Sequence, residues 1–72
     1  MREEFIRAFD KTILGVLRYE DNGDQRILDF PSRKILGMYI AAEDSTREFP
    51  SRIVVSKGNT LTMLLYKYKN IK

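Results

Sequence analysis

The 72-residue sequence contains no cysteine and no histidine. Without cysteine the chain can form no disulfide and no thiolate metal site, and without histidine a zinc site would need carboxylates alone, which is unusual. The groups left for catalysis are carboxylates, lysine, tyrosine, serine and threonine. We therefore expect no cofactor, no metal and no enzymatic activity.

The acidic and Gly-containing segments give no reason to change that expectation. Glu20 to Asp24 (EDNGD) faintly resembles a calcium loop but lacks its spaced ligands and closing glutamate. Glu43-Asp44 suits a solvated turn. Ser56 to Asn59 (SKGN) lacks the spacing of a phosphate loop. We interpret all three segments as turns.

The sequence also lacks a long apolar run. No uncharged segment approaches the ~20 residues of a membrane-spanning helix, and the first residues, MREEFIRAF, lack the apolar region of a signal peptide. We expect a single domain, residues 1–72, in the cytoplasm and without membrane contact. A core of this size contributes only ~3–5 kcal/mol of net stability. Association with another chain is the stabilising device that remains.

Acidic residues are missing from the last third of the chain. Residues 1–48 hold ten acids and eight basic residues and sum to −2, whereas residues 49–72 hold five basic residues and sum to +5. Such asymmetry is typical of a surface for an anionic partner. It equally suits contact with the acidic part of a neighbouring subunit.

The sequence contains a short internal repeat. DFPSRKILG begins at Asp29, and EFPSRIVVS begins nineteen residues later at Glu48. A weaker copy, AFDKTILG, begins at Ala8 and is one residue shorter in its polar break. A period of about 20 residues suits a strand–turn–strand unit. Proline cannot donate to a sheet ladder, so each FPSR segment is predicted at a turn.

The predicted fold is mainly β, with three ~20-residue strand–turn–strand repeats in a meander or small barrel-like sheet. Asn22-Gly23 is the strongest hairpin signal. At each end of the chain a helix is the alternative to a strand. At the N-terminus, Phe5 and Phe9 are four residues apart, as on one face of a helix. At the C-terminus, a helix starting at Thr60 would replace the last strand. The predicted strands are residues 5–9, 12–19, 25–30, 34–42, 46–49, 52–56 and 60–67.

Several predicted strands carry apolar residues on both faces, as in Ile53-Val54-Val55. A one-sided sheet alternates apolar and polar residues, and large exposed apolar patches are rare on monomers. We therefore predict a homo-oligomer. The candidate self-association residues are Ile35, Met38, Ile40, Leu61, Met63 and Leu65.

Tyrosine and lysine alternate near the C-terminus, in LLYKYKNIK. On a strand, Tyr66 and Tyr68 would share one face and Lys67 and Lys69 the other, as in proteins that bind single-stranded nucleic acid. The alternative is a last strand with tyrosine inward and protective edge lysines. Lys67, Lys69, Arg52 and Lys57 are predicted on one positive surface. The candidate polyanion-binding residues are Arg33, Lys34, Arg52, Lys57, Lys67 and Lys69.

The segment ILDFPSRKILGMYIAAEDSTREFPSRIVVSKGN resembles small bacterial β-repeat proteins of unknown function, of which the four-fold and five-fold beta-flower proteins are the nearest named group. Ser32 and Ser51 stand where that group usually has glycine. The group implies no activity and no functional residues. We predict a self-associating binding or assembly module without catalysis. The alternative is a protein that binds nucleic acid or another polyanion through its basic C-terminal third.

Overall fold

A computed structural model describes residues 2–70 as one antiparallel sheet and one helix. The strands lie in the sheet in chain order, so every connection is a hairpin. The elements are β1 (Arg2–Arg7), β2 (Ile13–Tyr19), β3 (Gln25–Asp29), β4 (Ile35–Ile40), β5 (Ser45–Glu48), β6 (Val54–Lys57) and α1 (Leu61–Lys69).

The mainly β prediction is confirmed, and the sheet is an open meander. Among residues 2–70, β1 pairs only with β2 and β6 only with β5, so the barrel-like alternative is wrong. The N-terminal segment is a strand, as predicted, although β1 lies earlier in the chain than the expected residues 5–9. The five strands expected between residues 12 and 56 correspond to β2 through β6.

Both FPSR segments lie in hairpin turns, as predicted. In the first turn the amide of Arg33 donates to the carbonyl of Asp29 at 2.8 Å, and in the second Arg52 donates to Glu48 at 2.6 Å. Both arginines have positive φ, 60° and 62°, and both Phe–Pro peptide bonds are cis. The chain therefore uses arginine where a positive φ would favour glycine.

The predicted last strand, residues 60–67, is wrong, because the segment forms α1 (Leu61–Lys69). The alternative, a helix starting at Thr60, is confirmed, with Thr60 as the residue that caps α1. Leu61, Leu64 and Leu65 recur at the i, i+3, i+4 spacing of an apolar helix face. Leu61 and Leu65 are fully buried in the hydrophobic core with Leu17, Ile27 and Leu36. Burial of this leucine stripe against the sheet outweighs the local strand preference.

Two glycines let α1 approach the sheet closely. A Cβ atom on Gly15 would lie 2.9 Å from the Leu65 methyl carbons, and one on Gly37 would lie 2.5 Å from Leu64 Cδ1. Both distances are shorter than ordinary van der Waals contact. Gly37 is the register partner of Ile27, so the helix lies on the sheet face that carries Ile27.

The end of α1 is held to the first FPSR turn by a buried ion pair. Lys69 Nζ lies 2.7 Å from Asp29 Oδ1 and donates to the carbonyl of Phe30 at 2.7 Å. Ser32 Oγ donates to Asp29 Oδ2 at 2.6 Å. Burial raises the pKa of Asp29, but the hydrogen bonds from Lys69 and Ser32 outweigh it and hold that pKa below its ordinary value.

Acid is expected to weaken the fold through Asp29. Because its pKa is lowered on folding, its contribution to stability is present above the unfolded pKa of about 3.9 and is lost as pH falls through the folded pKa. Asp29→Asn should lower the urea midpoint at neutral pH and make it less dependent on pH below about 4. Glu4→Gln, which changes an exposed carboxyl, is the matched control. An acid dependence of Asp29→Asn equal to that of the wild type would contradict this role.

Candidate functional site

The sheet has two free edges of different character. β1 (Arg2–Arg7, REEFIR) carries four charged residues, which discourage edge-to-edge association. β6 (Val54–Lys57, VVSK) carries one charge. Ile53, Val54 and Val55 are 64%, 48% and 44% exposed. The apolar edge of the molecule is therefore β6.

Helix α1 lies beside this apolar edge. Met63 on α1 is 67% exposed and lines, with Val55 and Leu64, a groove of about 280 Å³ between β6 and α1. Ser56, Thr60 and Lys67 complete the groove lining. We call Ile53, Val54, Val55, Met63 and Leu64 the β6–α1 surface.

Hydrogen bonds of buried Thr46 fix the loop that joins β6 to α1. The Thr46 side chain is fully buried; its hydroxyl donates to the carbonyl of Gly58 at 2.6 Å and accepts from the Thr60 amide at 3.0 Å. The hydroxyls of Ser56 and Thr60 lie 2.5 Å apart. The groove is therefore a built feature of the fold, because the segment between strand and helix is tied to β5.

A bulge interrupts β6 at Val55. Val54 is the register partner of Arg47 and Ser56 that of Thr46, which leaves Val55 as the extra residue. Bulges at sheet edges terminate or redirect pairing. Contact with another molecule at this edge would therefore rest on apolar side chains more than on a continuous backbone ladder.

The predicted self-association residues are divided by the fold. Leu61 and Leu65 belong to α1 and are buried between the helix and the sheet of the same chain. Ile35, Met38 and Ile40 lie partly buried in β4, a central strand, and Met63 is exposed. Sequence reasoning did not select Ile53, Val54 or Val55, because an apolar run alone does not distinguish an edge strand from a central one.

The predicted polyanion residues are also dispersed. Arg33 Nη2 pairs with Glu3 at 2.9 Å, and Lys69 is held by Asp29. Lys34 Nζ lies 5.6 Å from the centroid of the Tyr68 ring. Lys67 lines the groove beside α1, whereas Arg52 lines a depression together with Arg26, Met38 and Arg47. Lys57 lies on β6.

The single positive surface predicted for Lys67, Lys69, Arg52 and Lys57 stays a prediction. Lys69 is used in the ion pair with Asp29, and Lys67 and Arg52 line different depressions. The predicted separation of Tyr66 and Tyr68 from Lys67 and Lys69 on two strand faces is wrong, because all four residues belong to α1.

Among residues 2–70, no group of three or more acidic, cysteine or histidine side chains could hold a metal ion. Within the same residues, no helix has the length and apolar character needed to cross a membrane. Comparison with protein-family models, curated proteins and solved structures gives no match. Function is therefore inferred from the surfaces of the molecule alone.

Proposed function

We propose that the protein is a non-catalytic assembly module whose copies meet through the β6–α1 surface. The observation that carries the proposal is the apolar edge: Val54 and Val55 lie exposed on the last strand and Ile53 just before it, and Val55 shares a groove with Met63, which is 67% exposed on the helix. Clusters of exposed apolar side chains mark interaction sites on soluble proteins.

A second copy of the chain is the occupant that the surface suits. A two-fold arrangement brings the same patch together from both chains, and it is the commonest arrangement of homo-oligomers. Burying apolar surface contributes roughly 25 cal/mol per Å². A few hundred Å² per chain would then contribute several kcal/mol before the association entropy is subtracted, which is comparable to the stability of one small core.

Val55→Lys is expected to weaken this association by at least about tenfold. The substitution places a charge in the groove, and a charge that is buried without a partner costs free energy. Sedimentation equilibrium of wild type and variant over a range of concentrations measures the dissociation constant. Phe9→Lys is the matched control, since Phe9 is fully exposed in the turn after β1.

The control should associate as the wild type does and have the same helix and sheet content by circular dichroism. If Val55→Lys associates as tightly as Phe9→Lys, the β6–α1 surface is not the contact. Growth into an open series of masses would instead indicate head-to-tail pairing of β6 with the charged β1 edge.

We also infer that the sheet consists of three related strand–turn–strand units. What supports this is the shared hydrogen bonding of the turns. The amide of Asp29 donates to the carbonyl of Lys34, that of Glu48 to Ile53, and that of Ala8 to Thr12. Lys11, like the arginines of the FPSR turns, has positive φ. The resemblance to beta-flower proteins and the cytoplasmic location stay predictions.

The polyanion alternative has less support from the geometry. Its residues are dispersed, and Lys69 is already neutralised by a buried carboxylate. Affinity for nucleic acid that falls steeply as salt rises would favour this alternative. The polyanion alternative now rests on the basic residues that stay exposed in the C-terminal third of the chain.

A further inference from the structure

The sheet face opposite α1 carries a row of arginines. Side chains of directly opposed residues in antiparallel strands share a face. The register joins Glu3 to Arg18, Arg18 to Arg26, Arg26 to Met38 and Met38 to Arg47. Because neighbouring residues on a strand point to opposite faces, Arg26 lies on the face away from Ile27 and from the helix.

This row places like charges directly opposite each other, which is unfavourable. Arg18 is compensated, since its Nη2 lies 3.1 Å from Glu3 Oε2. Arg26 is compensated less well: Glu20 Oε1 lies 3.6 Å from its Nε, and that buried Nε has no hydrogen-bond partner within residues 2–70. The fold therefore holds a guanidinium whose hydrogen bonding is incomplete.

Arg26 lines a depression of about 390 Å³. The other lining residues are Met38, Ile40, Glu43, Arg47 and Arg52. Arg47 is held in place, with Nη2 2.9 Å from Glu43 Oε1 and Nη1 donating to the carbonyl of Arg52 at 2.9 Å. Three guanidinium groups and one carboxylate give the lining a formal charge of +2.

The Arg52 guanidinium has no carboxylate partner among residues 2–70; its Cζ lies 5.6 Å from the centroid of the Phe49 ring. The depression thus combines Arg52 with Arg26, whose contact to Glu20 is long at 3.6 Å, and with a third guanidinium group that Glu43 orients. Met38 and Ile40 supply apolar contact beside them. Depressions of a few hundred Å³ are large enough for small molecules.

We propose that this depression binds a small organic phosphomonoester. Arg26 and Arg52 hold the phosphate, and Met38 and Ile40 contact the organic part. A phosphomonoester carries a charge of about −1.5 to −2 at pH 7, which matches the formal charge of the lining, and guanidinium groups bind phosphate oxygens in bidentate fashion. The depression and the groove between β6 and α1 share no lining residue.

Phenyl phosphate is the probe, and a titration followed by ¹H–¹⁵N NMR of the full chain is the measurement. Binding should shift the amides of Met38 and Ile40. Arg26→Gln and Arg52→Gln should each weaken binding by about tenfold, because each removes charge-assisted hydrogen bonds. Arg2→Gln, which removes the same charge on the opposite face beside Tyr19, should change binding less than about twofold.

The comparison ligands are inorganic phosphate, phenol and a single-stranded oligonucleotide. Inorganic phosphate and phenol should each bind more weakly than phenyl phosphate. The proposal is overturned if phenyl phosphate shifts no amide of this face below about 10 mM, or if Arg2→Gln weakens binding as much as the other two variants do. Tighter binding of the oligonucleotide, lowered equally by all three variants, would indicate a general polyanion surface instead. Circular dichroism checks each fold, and either variant alone is sufficient if the other unfolds.

Discussion

Leu65→Ala is expected to leave much of the chain unfolded at room temperature. Leu65 is fully buried where α1 meets the sheet, and truncation of a buried leucine to alanine costs about 2–5 kcal/mol. The whole stability of a core this small is only about 3–5 kcal/mol. Urea titration followed by circular dichroism at low protein concentration measures the loss.

The matched control for Leu65→Ala is Thr62→Ala, an exposed position on the same helix. Its effect should stay within about 0.5 kcal/mol, as is usual for surface substitutions. A Leu65→Ala midpoint equal to that of Thr62→Ala would mean that α1 does not pack on the sheet. The hydrophobic core would then not include the leucines of α1.

Gly15→Ala is expected to destabilise the fold by about 1–3 kcal/mol, the usual cost of overpacking. The added Cβ would lie 2.5 Å from the carbonyl oxygen of Leu28 and 2.9 Å from the Leu65 methyl carbons. The oxygen belongs to the sheet backbone, so relief requires the strands to shift. Thermal unfolding of the variant measures the cost.

Gly58→Asn is the control for the glycine substitution. Among the described residues, none beyond the two chain neighbours comes within 4 Å of a Cβ placed on Gly58, and asparagine tolerates the positive φ found there. Its melting temperature should stay close to that of the wild type. If Gly15→Ala has the same melting temperature as Gly58→Asn, close approach of helix and sheet at Gly15 is not required.

The sheet was predictable from local chemistry. The FPSR breaks, Asn22-Gly23 and the β-branched segments between them each favour the same strand–turn–strand pattern, and six strands follow it. These signals act over a few residues and depend little on the rest of the fold. They do not settle whether the sheet closes, because closure depends on strand tilt and stagger along the whole sheet.

Local chemistry did not decide between a strand and a helix for the C-terminal segment. TLTMLLYKY contains aliphatic and aromatic residues that suit a buried strand as well as a helix. Tertiary packing decides in favour of the helix. Leu61 and Leu65 can pack on the sheet because Gly15 and Gly37, which are distant in sequence, have no side chain. The error on the helix also led to the error on the tyrosine and lysine faces.

The candidate sites depended on strand order and register, which the sequence does not state. Val54 and Val55 matter because β6 is an edge strand. Arg26 and Arg47 share a face because both are register partners of Met38. The predicted positive surface, by contrast, rested on charges close in sequence, and the fold pairs one of them, Lys69, with Asp29.

Light scattering behind a sizing column, on the unmodified chain at high micromolar concentration, tests the assembly proposal most directly. If copies meet through the β6–α1 surface, the mass should be about 17 kDa, twice the 8.5 kDa of one chain. Dilution should then return it toward the mass of one chain. A mass of 8.5 kDa at every concentration would contradict the proposal, because Ile53, Val54, Val55 and Met63 would remain exposed in a stable monomer.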